Sequence, residues 1–204
     1  MNTITNFWNY FQQNNFVFLF LNEVSQEEMK FHFYKLKEEL YRYNKNLDLI
    51  IKNKKNEAEL IITAHGNPYL FKEVELLAFY APKIKRWKIT AFLQPEKDLD
   101  KYENGTDKPF KFYGINIKVS DSYFILLGNP EKPIDLGIKV LLKNYVVYKN
   151  NPKLTEAVYI IIEHFIGEKS FANDLKFIEI NQLHQINTDH LKLHHLKLYI
   201  NDER

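Results

Sequence analysis

The stretch from Glu59 to Phe92, ELIITAHGNPYLFKEVELLAFYAPKIKRWKITAF, constrains the fold more than any other part of the chain. Leu60-Ile61-Ile62-Thr63-Ala64 is a short apolar run rich in β-branched residues and followed by a glycine, which predicts a buried strand. His65-Gly66-Asn67-Pro68 then reads as a turn that opens a helix. Asn67 can accept a bond from a free backbone N–H, and Pro68 suits the first helical position because its missing N–H would have no partner there. Leu70, Phe71, Val74, Leu77, Ala78 and Ala81 recur at three- and four-residue spacing and form one apolar stripe. Glu73 and Glu75 fall outside it or at its edge. Pro82 stops the helix by pushing the residue before it out of helical geometry. Trp87 to Phe92 returns as a strand, with Trp87, Ile89 and Ala91 on one face.

The same logic runs along the rest of the chain. Asn6 to Gln13 predicts a short helix packed by its rings, and Phe16 to Leu21 is either a strand or the end of that helix. Ser25-Gln26-Glu27-Glu28 is a capping box for a helix to about Tyr43. Leu47–Ile51 and Glu59–Ile62 flank a polar segment from Lys52 to Asn56 and read as an antiparallel hairpin with a longer loop. Lys52, Lys54 and Lys55 are either its solvated turn or a weak anion-binding patch.

Gln94 to Pro109 is polar and carries Pro95, Gly105 and Pro109, which marks a boundary. Beyond it, Phe110–Lys118, Tyr123–Leu127 and Asp135–Leu142 read as strands, with a turn at Gly128-Asn129-Pro130 and Pro133. Asn151-Pro152 opens a second helix, Lys153 to about Ile166, which is apolar almost all round and therefore buried. Gly167 ends it, and Leu175–Ile180 alternates as a last strand. The predicted fold class is α+β: largely antiparallel sheets in two hairpin–helix–strand units of ββαβ or ferredoxin-like type, with extra N-terminal helices. The predicted divisions are 1–94, 110–183 and a C-terminal docking segment 184–204, with one compact domain as the alternative.

Hydrophobic residues make up 45% of the 204, enough to build a core and to exclude wholesale disorder. A net charge of +2 is too balanced for a dedicated nucleic-acid binder. The chain has no cysteine, which excludes disulfides, thiolate catalysis and zinc–thiolate sites and suits a reducing cytoplasm. Phe16–Leu21 is too short to span a bilayer.

The pattern ELIITA-x-GN, F-x-x-VE-x-L, AP, W-x-x-x-AF and a later IGE followed by F resembles an uncharacterised family of bacterial proteins of this length. It is carried by Glu59, Gly66, Asn67, Phe71, Val74, Glu75, Ala81, Pro82, Trp87, Phe92, Gly167, Glu168 and Phe171. The resemblance implies a fold and a bacterial origin, and no activity. The chain departs from that pattern at His65, where the family is acidic, and at Leu93-Gln94, where it is basic and then proline.

Four places offer chemistry, each beside a structural alternative. His65-Gly66-Asn67 lies where a strand meets a helix N-terminus and can take an anion, with His65 as acid or base; the favoured alternative is a tight turn and cap. Glu163, His164 and Glu168 crowd the end of the apolar helix, where burial raises a carboxylate pKa; the favoured alternative has Glu163 and His164 on its polar stripe and Glu168 bonding local backbone N–H groups or the other half. His184, His190, His194 and His195 gather near the C-terminus, but no neighbouring carboxylate in sequence completes a motif, so no metal site is assigned. Trp8, Tyr80 and Trp87 are core rings or the lining of a ligand groove.

The expected function is that of a non-catalytic cytoplasmic binding or regulatory protein acting through protein–protein contact, as monomer or homodimer, with no cofactor, nucleic acid or membrane. The alternative is a small hydrolase or ligand-binding enzyme using His65, Glu75 or Glu168, with His65, Gly66, Asn67 and Trp87 as binding residues.

Overall fold

The structure is a computed structural model and describes residues 2–20, 23–54, 57–129 and 132–201. The chain is α+β and divides into two compact units, Met1–Leu93 and Gln94–Arg204.

The first unit opens with helix α1 (Asn2–Leu19), so Phe16–Leu19 is the end of that helix, while Leu21 lies outside the described residues. Phe7, Trp8, Phe11 and Phe18 are buried along it, and the rings of Phe7, Trp8 and Phe11 meet edge to face, a geometry that adds to the area they bury. Helix α2 (Gln26–Tyr43) begins as the capping box predicts, with Ser25 Oγ accepting from the Glu28 N–H. Strands β1 (Asp48–Lys54) and β2 (Glu57–Thr63) pair antiparallel from Asp48↔Thr63 to Lys54↔Glu57. The predicted loop at Lys52–Asn56 is therefore largely strand. Residues 55 and 56 lie outside the described residues, and the side chain of Lys54 with them.

A 3-10 turn (Pro68–Leu70) leads into helix α3 (Phe71–Phe79), and strand β3 (Trp87–Ala91) returns parallel to β2. Parallel neighbours need a crossover of this kind, because a short turn cannot bring the chain back to the same end of the sheet. In the order β1-β2-β3 the central strand buries Leu60, Ile61 and Ile62 in succession, so both faces of the sheet are covered.

The second unit starts with a single helical turn, α4 (Asp100–Glu103), and the small hairpin β4 (Phe110–Phe112) and β5 (Ile115–Ile117). Phe110–Lys118 is thus two strands and not one. Tyr113 and Gly114, at φ 43° and 81°, make the left-handed two-residue turn that a tight hairpin requires. Strands β6 (Tyr123–Asn129) and β7 (Lys132–Leu142) pair antiparallel. Pro130, in the predicted turn, lies outside the described residues, as does the side chain of Pro133.

The turn α5 (Tyr145–Tyr148) and helices α6 (Leu154–Ile166) and α7 (Glu168–Asp174) follow. Then come β8 (Phe177–Gln182), β9 (Leu191–Lys192), a 3-10 turn at Leu193–His195 and helix α8 (Leu196–Asn201). The sheet order is β8-β7-β6-β9, with β8 parallel to β7. A hairpin whose second strand gains a parallel neighbour through a helix thus occurs in both units.

Helix α6 buries Ala157, Val158, Ile161, Ile162 and Phe165 in one core with Phe124, Ile138 and Val140. Gly167 separates α6 from α7 at φ 82°, ψ 157°, a region open only to glycine. Leu193, Leu196 and Ile200 from the C-terminal segment lie in the same core.

Candidate functional site

The turn before α3 is built by two consecutive left-handed residues, His65 (φ 52°) and Gly66 (φ 71°). Asn67 N–H bonds back to Ala64 C=O, and His65 N–H bonds to Thr63 Oγ1. Asn67 Oδ1 accepts from Tyr69 N–H, so the predicted cap forms on the 3-10 turn and not on α3 itself. This entry fixes the rotation of α3. Phe71, Val74 and Leu77 face inward, and Trp8 closes over the end of the helix by donating its indole N–H to Leu77 C=O at 3.0 Å.

The opposite side of α3 and the residues flanking it expose several rings beside the charged Lys72 and Glu75. Tyr69 is 92% exposed and Phe79 80%, with Leu76 and Tyr80 about half exposed. Residues three and four apart on a helix are neighbours, so Leu76, Phe79 and Tyr80 adjoin, and the Phe79 and Tyr80 rings meet edge to face, their centroids 5.3 Å apart. Leu76, Phe79 and Tyr80 together expose on the order of 300 Å² of apolar surface, the size of the largest patch on a typical monomer. The patch runs into a groove of about 340 Å³ lined by Ile4, Trp8, Tyr80 and Pro82 with the uncharged polar Thr5, Asn9 and Gln12. Trp8 and Tyr80 both line this groove, and Trp8 is at the same time a core ring.

The other sequence candidates do not converge. His65 is two-thirds exposed and pairs with Asp48 at 3.5 Å, while Asp48 also binds Lys37 at 2.9 Å. Glu75 is exposed on α3. Trp87 stands opposite Ala58 at the start of β2, whereas His65, Gly66 and Asn67 follow the end of β2; five residues of strand separate them by roughly 17 Å. Trp87 packs on Phe11 and donates to Asn15 Oδ1 at 3.1 Å. Glu168 belongs to the other unit. Glu59 binds Lys88 at 2.8 Å and accepts from Thr90. Burial works to raise its pKa, but these bonds outweigh it and hold the carboxyl below the usual range.

In the second unit, Glu168 is fully buried at the start of α7. Burial, then the charge of Glu168, pushes Glu163 up from its ordinary 4.5 to about 7. His164 pairs with Glu96 at 3.3 Å. Glu96 is held low despite its burial, by the backbone N–H groups of Asp98 and Lys97 and by His164. His190 and His194 share no helical face, since β9 lies between them.

No family model, curated protein or solved structure matches the chain. No helix among the described residues is long and apolar enough to cross a membrane.

Proposed function

We propose that this chain is a non-catalytic binding protein whose contact surface is the outer face of α3 and the groove beside it. Its occupant is an amphipathic helix of another protein. The observation that carries the reading is Phe79, a large ring 80% exposed on a helix whose other face is fully packed. Leaving such rings in water is unfavourable by about 25 cal/mol per Å², and covering them is the usual basis of a binding hot spot.

A partner helix is favoured over a second copy of this chain for two reasons. The patch alone falls short of the roughly 800 Å² per partner that a stable dimer buries, and two copies of a nine-residue helix crossing each other would leave the groove uncovered. The groove lining carries no charge, so apolar side chains and neutral hydrogen bonds select the ligand. A cytoplasmic location and bacterial origin belong to the same reading, supported by the cysteine-free sequence and the family resemblance.

The test is photo-cross-linking in the native cells from a benzophenone side chain at position 79, with position 34, another exposed ring site, as control. The reading expects a discrete heterologous adduct from 79 and not from 34. Adducts only between copies of this chain, or equal labelling from both positions, would overturn it.

A further inference from the structure

Glu103 ends α4, and His194 and His195 close the 3-10 turn that precedes α8. Ninety-two residues separate Glu103 from His195, yet one oxygen, Glu103 Oε1, meets both imidazoles. It hydrogen-bonds His195 Nε2 and stands 3.5 Å from His194 Nε2. The three groups each offer a ligand atom, and these atoms all lie within 4.8 Å of one another.

His194 is the unusual member. It is 1% exposed, its Nδ1 has no hydrogen-bond partner, and its Nε2 has only the long 3.5 Å approach of Glu103 Oε1. A buried polar atom left in this state costs about 1–3 kcal/mol. Nothing about the ring's position is loose. Leu193 and Leu196 on either side of the pair are buried in the core, and Tyr102, next to Glu103, stacks on the imidazole at 5.9 Å and packs on Phe165. Lys192 Nζ is occupied by Ser120 C=O at 2.8 Å, so it does not fill the place beside His194.

A zinc-class ion about 2.0–2.2 Å from each ligand sets neighbouring ligands about 3.3–3.5 Å apart. The His194–Glu103 separation already has that value. His195 and Glu103 are partly exposed, so their side chains can open around an ion without disturbing the core. We infer that Glu103, His194 and His195 form a binding site for a divalent transition-metal ion of the zinc class. Two imidazole nitrogens and one carboxylate oxygen suit zinc or cobalt over magnesium or calcium, which prefer all-oxygen shells. The exposed side of the site leaves a fourth position to water. Binding ties the C-terminal turn to α4, two elements that no local sequence connects, and stabilises this unit by mass action.

The probes are zinc and cobalt chloride added to untagged, chelator-stripped full-length chain. The expected result is one zinc per chain by calorimetry, a higher thermal midpoint with zinc, and a visible cobalt spectrum of low-coordinate type. His195→Ala and Glu103→Gln, both at partly exposed positions, should each weaken zinc binding tenfold or more and abolish the cobalt spectrum, with unchanged circular dichroism. The double variant His184→Ala/His190→Ala should bind as the natural chain does. No saturable zinc binding, or binding that survives both His195→Ala and Glu103→Gln, overturns the site.

Discussion

Replacing Glu163 with glutamine should stabilise the protein, and only above mildly acidic pH. The side chain sits in the last turn of α6, half-buried, with the buried Glu168 nearby. Burial first and the Glu168 charge second raise its pKa from 4.5 to about 7. The unfolded chain releases this proton near 4.5 and the folded chain near 7, so between those values the folded state holds more protons. Stability from this group is therefore complete below about pH 4.5, falls as pH rises to about 7, and is level beyond. A gap of that size is worth about 3.4 kcal/mol at full strength. Water on the exposed part of the side chain screens it, which leaves about 1–2 kcal/mol.

Glu163→Gln keeps the shape and removes the titration. At pH 8 the variant should melt a few degrees above the natural chain, given roughly 2–4 °C per kcal/mol for chains of this size. At pH 4.5 the two midpoints should coincide. Slopes from histidines are common to both proteins and cancel in the difference. A shift of equal size at both pH values, or a lower midpoint for the variant at pH 8, would refute the reasoning.

Two further substitutions test how the second unit is held. Gly167→Ala forces a side chain into a glycine-only conformation between α6 and α7 and should cost about 1–3 kcal/mol in urea unfolding; an unchanged midpoint would mean the two helices do not need that bend. Asp107 Oδ2 accepts from the backbone N–H groups of Val119 and Ser120 at 3.0 and 3.3 Å, buried. Asp107→Ala orphans both and should cost about 2 kcal/mol, with Asp107→Asn milder because an amide oxygen can still accept; equal losses for the two variants would count against this account.

The elements legible in the sequence are those whose signals are local and agree with their packing. Ser25 capping Glu28, the apolar stripe from Phe71 to Leu77 and the wholly apolar face of α6 each dictate one structure. Where the structure departs from the sequence reading, a weaker local signal met a tertiary demand. Lys52 and Asn53 look like loop but pair with Glu59 and Ala58, because the ladder continues to the turn. Tyr113-Gly114 hides a hairpin turn, since tyrosine seldom takes positive φ. Helix α7 is too short to form alone; it is held by Phe171 against the core and by the burial of Glu168.

The exposed face of α3 follows from the helical wheel, since Leu76, Phe79 and Tyr80 fall off the inward stripe. The meeting of Glu103 with His194 and His195 had no such signal. Its partners come from distant elements, and no spacing rule links them.

The central claim is that the face carrying Phe79 and Tyr80 is where this chain meets its partner. Calorimetric titration of the cross-linked partner against the natural chain and against Phe79→Asp/Tyr80→Ser addresses it directly. Affinity should fall about thirtyfold or more, the loss of one hot spot of 2 kcal/mol, with thermal midpoint and circular dichroism unchanged. Equal affinity for the two chains would contradict it.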